Sequence, residues 1–481
     1  MILEGGTVLT GDPRLPRARA IAVAGARVAG GVDVREGDRS AVSSERIDLA
    51  GRCVTPGFHD AHVHFLEWSL AREQTDLSEA ATPNDVYAQL RRTGAGDGWV
   101  LAHSMRDELA SALEPVELEA ACGGRPVAVA THDRHTIVAT ESTGGRAGLL
   151  REREAFARWE SAPTPSESEI DAAVRKGVRE AHRRGLTGVH DFQRNGGFAA
   201  WQRLSADGAL AFRVWASLPA ERLDEALALG VRSGLGDDWI RVGPVKAFAD
   251  GALGSRTASM LEPFSDGGSG MRLLEPEELR EIVARASRGG LDVAVHAIGD
   301  RANRDVLDAL EATRQLWEPA GLRPRIEHAQ LLDPDDLRRF SELGVTASMQ
   351  PSHRTTDLAE AQRAWGASRM RGGYAFAALH EDGAPLCFGS DAPIEDLAPL
   401  AGVRSAVEGG LPVSAALDGF WAGAARARHA ERAYGRLVPG AAADLVVLDR
   451  DPTSCLVEEL DRIEVVATMV AGRWVHGAPP W

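Results

Sequence analysis

The chain has 481 residues, 44% of them hydrophobic and 26% charged; this exceeds one average domain and can fill a large core, which excludes a disordered chain. A formal charge of −16 repels phosphate backbones and anionic lipid surfaces, so neither a nucleic-acid nor a membrane partner is expected. Cys53, Cys122, Cys387 and Cys455 lie far apart and form no C-x-x-C pair, which points to reduced thiols rather than a disulfide framework or a cysteine-bound metal.

Residues 1–55 contain the short runs ILEGGTVLT, AIAVAGARVAG and ERIDLAGRCVTPG, each ended by Gly, Pro or Asp as hairpin strands require. No basic patch followed by an apolar core opens the chain, and no later run has the apolar length that spans a bilayer; a cytoplasmic location is the expectation. Residues 56–425 alternate apolar strand-like runs with amphipathic helical ones, for example PEELREIVARASRGG, LDVAVHAIGD, ANRDVLDALEATRQLW and RPRIEHAQL. That rhythm predicts βα units around a parallel sheet, with polar residues at the strand ends where barrel enzymes place chemistry. The segment SAPTPSESE at 161–169 reads as a surface loop. Residues 426–481, with GRLVPGAAADLVVLD and EVVATMVAGRWVHG, return to the texture of the first 55. The predicted fold is therefore α/β: a (β/α)8 TIM barrel at 56–425 with a small discontinuous β-sandwich domain built from 1–55 and 426–481.

Five of the fourteen histidines stand out. In PGFHDAHVH a strand puts alternate side chains on one face, so His62 and His64 point the same way and are either half of a zinc site or a chance H-x-H pair. His59 falls on the opposite parity and reads as packing or as a support behind the ligands. Lys246 interrupts the apolar strand RVGPVKAF; a buried lysine must lose its charge or pair it, either by carboxylation to a carbamate that bridges two cations or by pairing with Asp250. His296 in LDVAVHAIGD and His328 in RPRIEHAQL end successive strands, the positions that barrel catalysis uses. Asp391 appears abruptly after the apolar run APLCFGS, and a carboxylate there could bind metal and accept a proton.

The motifs PGFHDAHVH, GPVKAFADGALGSRTA, HAIGDRA, RIEHAQ, MQPSH and FGSDAP, in this order, resemble amidohydrolase family 3. They are most similar to its N-substituted formamide deformylase-like branch, and the resemblance runs from about residue 50 to 400, with PGAAADLVVLDRDP resembling the superfamily's small β domain. It implies that His62 and His64 bind one divalent metal, that Lys246 carries a carbon dioxide-derived carbamate bridging two metals, that His296 and His328 bind the second, and that Asp391 is both ligand and general base. It also implies substrate-side roles for His135 in THDRHTIVAT and His353 in MQPSH. After His135 the branch carries an asparagine-serine pair where this chain has Ala139-Thr140, a departure in the region that shapes the substrate pocket.

The resulting expectation is a hydrolase acting on carbon-nitrogen but not peptide bonds of a small-molecule amide, N-acyl or formamide substrate. It would use metal-activated hydroxide, with zinc or another divalent ion at two per chain, and a homo-oligomeric state is compatible with it. The alternatives are a mononuclear deaminase-type hydrolase and a noncatalytic barrel serving as scaffold or regulator. Arg256 and Arg301 are candidates for a substrate carboxylate clamp or for structural ion pairs, and Trp99, Trp159 and Trp365 for a pocket lining or for core.

Overall fold

The computed structural model describes residues 1–29, 45–93, 96, 98–131, 136–151, 153–192, 197–208 and 210–481. Its contacts divide the chain into two compact units, Met1–His64 with Val178–Trp481, and Phe65–Gly177.

The first unit contains eight parallel strands: β1 (Phe58–Val63), β2 (Leu186–Asp191), β3 (Arg213–Pro219), β4 (Ile240–Phe248), β5 (Val293–Ala297), β6 (Arg325–His328), β7 (Thr346–Met349) and β8 (Leu386–Phe388). Each pairs with the next in chain order. The sheet closes where the Asp391 amide donates to the His62 carbonyl at 2.7 Å and the His64 amide to the Ala392 carbonyl at 2.9 Å. All residues of β1, β2, β6 and β7 are buried, as expected of strands covered on both faces. Among the returning helices, Pro276–Arg288, Pro351–Trp365 and Pro399–Glu408 begin with proline in the first turn, where its missing N–H leaves no intrahelical bond unmade. Pro276–Arg288 also carries a reciprocal cap between Glu275 and Glu278. The expected barrel is the fold observed.

The two chain ends share one eight-stranded sheet, joined where Cys53–Pro56 pairs antiparallel with Leu445–Leu448. The sheet is mixed: Ile2–Leu9 runs antiparallel to Arg17–Ala24 but parallel to Arg46–Asp48 and Cys53–Pro56. Leu3, Ile21, Val54, Leu445, Val447 and Met469 form its core.

The second unit falls between β1 and β2 in sequence, inside the stretch read above as barrel. It has a five-stranded sheet in the order Gly148–Arg151, Thr136–Ala139, Val127–Thr131, Val100–Met105, Thr75–Asp76. Its core gathers Leu77, Val86, Leu90, Val100, Leu118 and Val127. Only the first part of the loop expected at 161–169 is irregular: Glu167 starts the helix Glu167–Arg183, and Ser166 and Glu169 cap each other there, amide to side chain in both directions. No helix among the described residues is long and apolar enough to cross a membrane.

Candidate active site

The site forms where β1 meets the turn after β8. Asp60, two residues before His62 on the same strand face, accepts hydrogen bonds from the His62 amide at 3.0 Å and the Ser390 amide at 3.0 Å, tying the two strand ends together. Asp391 follows in the left-handed region at φ +60°. That conformation brings its Oδ1 to 3.4 Å from Nε2 of both His62 and His64. Its Oδ2 lies 3.7 Å from His353 Nε2 and 4.0 Å from His328 Nδ1. The His328 ring is 4.8 Å from that of His62, 4.5 Å from that of His296, and stacked 6.0 Å from that of His353. Donor atoms of His62, His328 and Asp391 all fall within 4.8 Å of one another. His62, His64, His296, His328, His353 and Asp391 are thus brought together; His135 lies outside the described residues.

Lys246 is buried in β4, its Nζ 4.8 Å from the Phe192 ring and 4.9 Å from the Phe248 ring. Asp250, its sequence-based alternative partner, accepts from the amides of Ser259, Ile298 and Gly299 at 2.8, 3.0 and 2.9 Å and approaches His296 Nε2 at 3.5 Å. His59 packs against Thr187, Arg428 and Tyr434. Arg256 pairs with Asp266 and Glu360, and Arg301 donates to the carbonyls of Met260 and Leu261, so both arginines have structural partners. Trp365 is core.

Burial and neighbouring charge keep the imidazoles ready to donate electron pairs. Burial, with Lys246 nearby, depresses the His296 pKa to about 3 and holds His328 well below the usual histidine range, so both are neutral near pH 7. His296 Nε2 donates to the Gly251 carbonyl at 2.9 Å; a carbonyl only accepts, so the lone pair is on Nδ1. His328 Nδ1 meets Gln350 Oε1 at 2.7 Å, and the Gln350 amide is oriented by donating to the Ser348 carbonyl, which leaves the His328 lone pair on Nε2. Burial alone would raise the Asp391 pKa, but His62, His64 and His328 outweigh it and hold the carboxyl well below its usual range. Asp60 and Asp250 are pushed up by burial to about 7.

These residues fit a divalent cation. His62 Nε2 is buried without a hydrogen-bond partner among the described residues, a costly state unless something takes its lone pair. Imidazole nitrogens beside an ionised carboxylate are the donor set that zinc accepts. A cavity of about 760 Å³ opens beside them, with His64, Lys246, Phe192, Phe248 and Leu273 in its wall and Arg222 at its lining.

Two buried residues near this cluster escaped the sequence analysis. Arg325 and Glu327 share a face of β6 and form an ion pair at 1% and 0% side-chain exposure; Glu327 Oε2 lies 2.5 Å from His62 Nδ1. Burial would raise the Glu327 carboxyl, but Arg325 and His62 outweigh it and hold the carboxyl far below its usual range. The available signal was two charges at alternate positions of a buried strand, the pattern that singled out His62 and His64.

An eight-stranded parallel barrel with histidines and an aspartate converging at the C-terminal strand ends defines the class of barrel hydrolases, and comparison with known proteins gives the family. The profile of the amidohydrolase family matches residues 45–476; the chain belongs to the amidohydrolase family. It is 29% identical over 489 residues to the putative amidohydrolase YtcJ of Bacillus subtilis, covering 90% of each chain. It is 25% identical over 533 residues to the N-substituted formamide deformylase of Arthrobacter pascens, covering 98% and 97%, in agreement with the branch that the motifs resemble. An uncharacterized metal-dependent hydrolase from Pyrococcus horikoshii superposes with a TM-score of 0.83 at 27% identity over 95% of this chain and 99% of its own.

Proposed function

We propose that the protein is a metal-dependent hydrolase that cleaves a carbon-nitrogen bond other than a peptide bond in a small amide, N-acyl or formamide substrate. The observation that carries this reading is the convergence of buried imidazoles on the ionised Asp391 beside an aromatic-walled cavity. His62 and His64 would hold one cation, His296 and His328 a second, and a carbamate on Lys246 would bridge them. A divalent cation, zinc or another, supplies Lewis acidity and makes water acidic enough to ionise near pH 7. Asp391, low in pKa and within reach of His64 and His353, would take the proton from the attacking water on a carboxylate oxygen and pass it to the leaving nitrogen. His353, with its Nδ1 oriented by the Gln330 side-chain amide at 2.9 Å, and His135 would act on the substrate carbonyl or leaving group. Phe192, Phe248 and Leu273 would exclude water and favour an apolar substituent.

A mononuclear, deaminase-type centre is the second reading, favoured by the compactness of the His62, His328 and Asp391 group, which suits a single ion. A cytoplasmic location and the absence of nucleic-acid and membrane partners belong to the same proposal; the −16 charge supports the exclusion of polyanions.

Metal analysis of wild type and Lys246→Ala grown with zinc and bicarbonate, followed by assay on N-substituted formamides and other N-acyl amines, tests the proposal. About two ions per chain falling to one or none, with wild-type turnover of the panel, is expected for the bridged pair. About one ion in both proteins would favour the mononuclear centre, and no bound metal in either would overturn both readings.

A further inference from the structure

Arg325 and Glu327 lie at the centre of a buried polar cluster inside the barrel. The Arg325 guanidinium donates to both carboxylate oxygens of Glu327, through Nε to Oε1 and through Nη2 to Oε2 at 3.0 Å. It also donates to Ser348 Oγ at 2.6 Å, to the Ala61 carbonyl at 2.6 Å, and through Nη1 to His190 Nδ1 at 2.7 Å. Glu327 Oε2 completes the chain at 2.5 Å from His62 Nδ1.

The proton positions follow from what each group can do. A guanidinium has only donors and an ionised carboxylate only acceptors. His190 Nδ1 must therefore accept from Arg325, which puts the His190 proton on Nε2. His62 Nδ1 must donate to Glu327, which leaves the His62 lone pair on Nε2, the nitrogen 3.4 Å from Asp391 that has no hydrogen bond among the described residues.

We propose that Glu327, clamped by Arg325, is a positioning residue that holds His62 as the Nδ1–H tautomer and so keeps the Nε2 lone pair aimed into the site. A carboxylate behind a ligating imidazole also raises its basicity and fixes its ring. The tautomer stands on the hydrogen-bond geometry alone; its consequence for cation binding rests on the proposed metal function.

Glu327→Gln removes the constraint in a defined way. Arg325 has no acceptor, so it claims the glutamine oxygen and turns the NH2 group toward His62. His62 Nδ1 then accepts, and its proton moves to Nε2. A merely structural role for the ion pair would shift stability without inverting this tautomer.

The test is nitrogen NMR of the metal-free full-length chain labelled at histidine, well above the ordinary histidine pKa of about 6.5, with His62 assigned by its loss in His62→Gln and His190 by its loss in His190→Gln. Expected in wild type are opposite tautomers, the proton on Nδ1 of His62 and on Nε2 of His190, and in Glu327→Gln an inverted His62. Zinc alone, titrated against a competing chelator, should bind the variant about 10- to 100-fold more weakly. A wild-type His62 protonated on Nε2 overturns the proposal without any variant having to fold, as does an uninverted His62 in a folded Glu327→Gln. Failure of wild type to bind zinc, with the expected tautomers present, would remove the metal function and leave the positioning role standing.

Discussion

The His296 side chain is only 12% exposed, and burial, with Lys246 nearby, brings its pKa from 6.5 to about 3, whereas an imidazole in the unfolded chain keeps its ordinary value. A depressed folded pKa means that its contribution to stability is complete above pH 6.5 and is lost as the pH falls toward 3. Asp60 and Asp250 run the opposite way, because their folded pKa values near 7 exceed 3.8; their contribution is complete below pH 3.8 and is lost as the pH rises through 7. Comparison of wild type with His296→Gln isolates the histidine, since both proteins keep the two acids. In chelator-treated protein, denaturant unfolding at a series of pH values should show the variant gaining stability relative to wild type between pH 6.5 and 3. Parallel curves would show that His296 does not titrate abnormally. At this scale the sequence was informative wherever a polar side chain interrupted an apolar strand: His62, His64, Lys246, His296 and His328 were all legible. Glu327 carried the same signal together with Arg325, but its contact with His62 was not visible, because His62 lies 265 residues away along the chain.

The elements hold the site through the seam between β1 and β8. Gly389 lies in that seam, and a Cβ added there would stand 2.3 Å from the His62 backbone nitrogen and 2.6 Å from Asp60 Oδ1. Backbone cannot yield as a flexible side chain does, so Gly389→Ala must push the strand ends apart. A destabilisation of about 1–3 kcal/mol is expected from such overpacking, together with weaker zinc binding, because the displaced residues carry His62 and Asp391. Calorimetry and a zinc titration check both; a wild-type Tm would show that the seam relaxes freely. The strands themselves were legible from apolar runs with polar ends. The five-stranded sheet within Phe65–Gly177 was not distinguished, because its runs Val100–Met105 and Val127–Thr131 have the same apolar texture as barrel strands, and pairing partners leave no mark on a single strand.

Across the first unit, Arg213 of β3 and Asp444 beside Leu445–Leu448 join barrel and terminal sheet by a two-point ion pair at 2.5 and 3.0 Å, each 4% exposed. Arg213 also lies over the rings of Trp239 and Tyr434. Asp444→Ala would leave that guanidinium buried without its acid, a change that costs about 3–5 kcal/mol. Denaturant unfolding should show the loss, and an unchanged midpoint would mean that the terminal sheet and barrel are held by apolar packing alone. The similar texture of the two chain ends predicted that they belong together; their junction, Cys53–Pro56 on Leu445–Leu448, is a property of the folded sheet. The sequence by itself determined the strands, their polar ends and the metal-suited residue types, because strand periodicity and the cost of burying charge act locally. Only the tertiary structure decided which atoms meet, from Asp391 against His62 and His64 to Glu327 behind His62, because those contacts exist only once the sheet has closed and brought distant strands side by side.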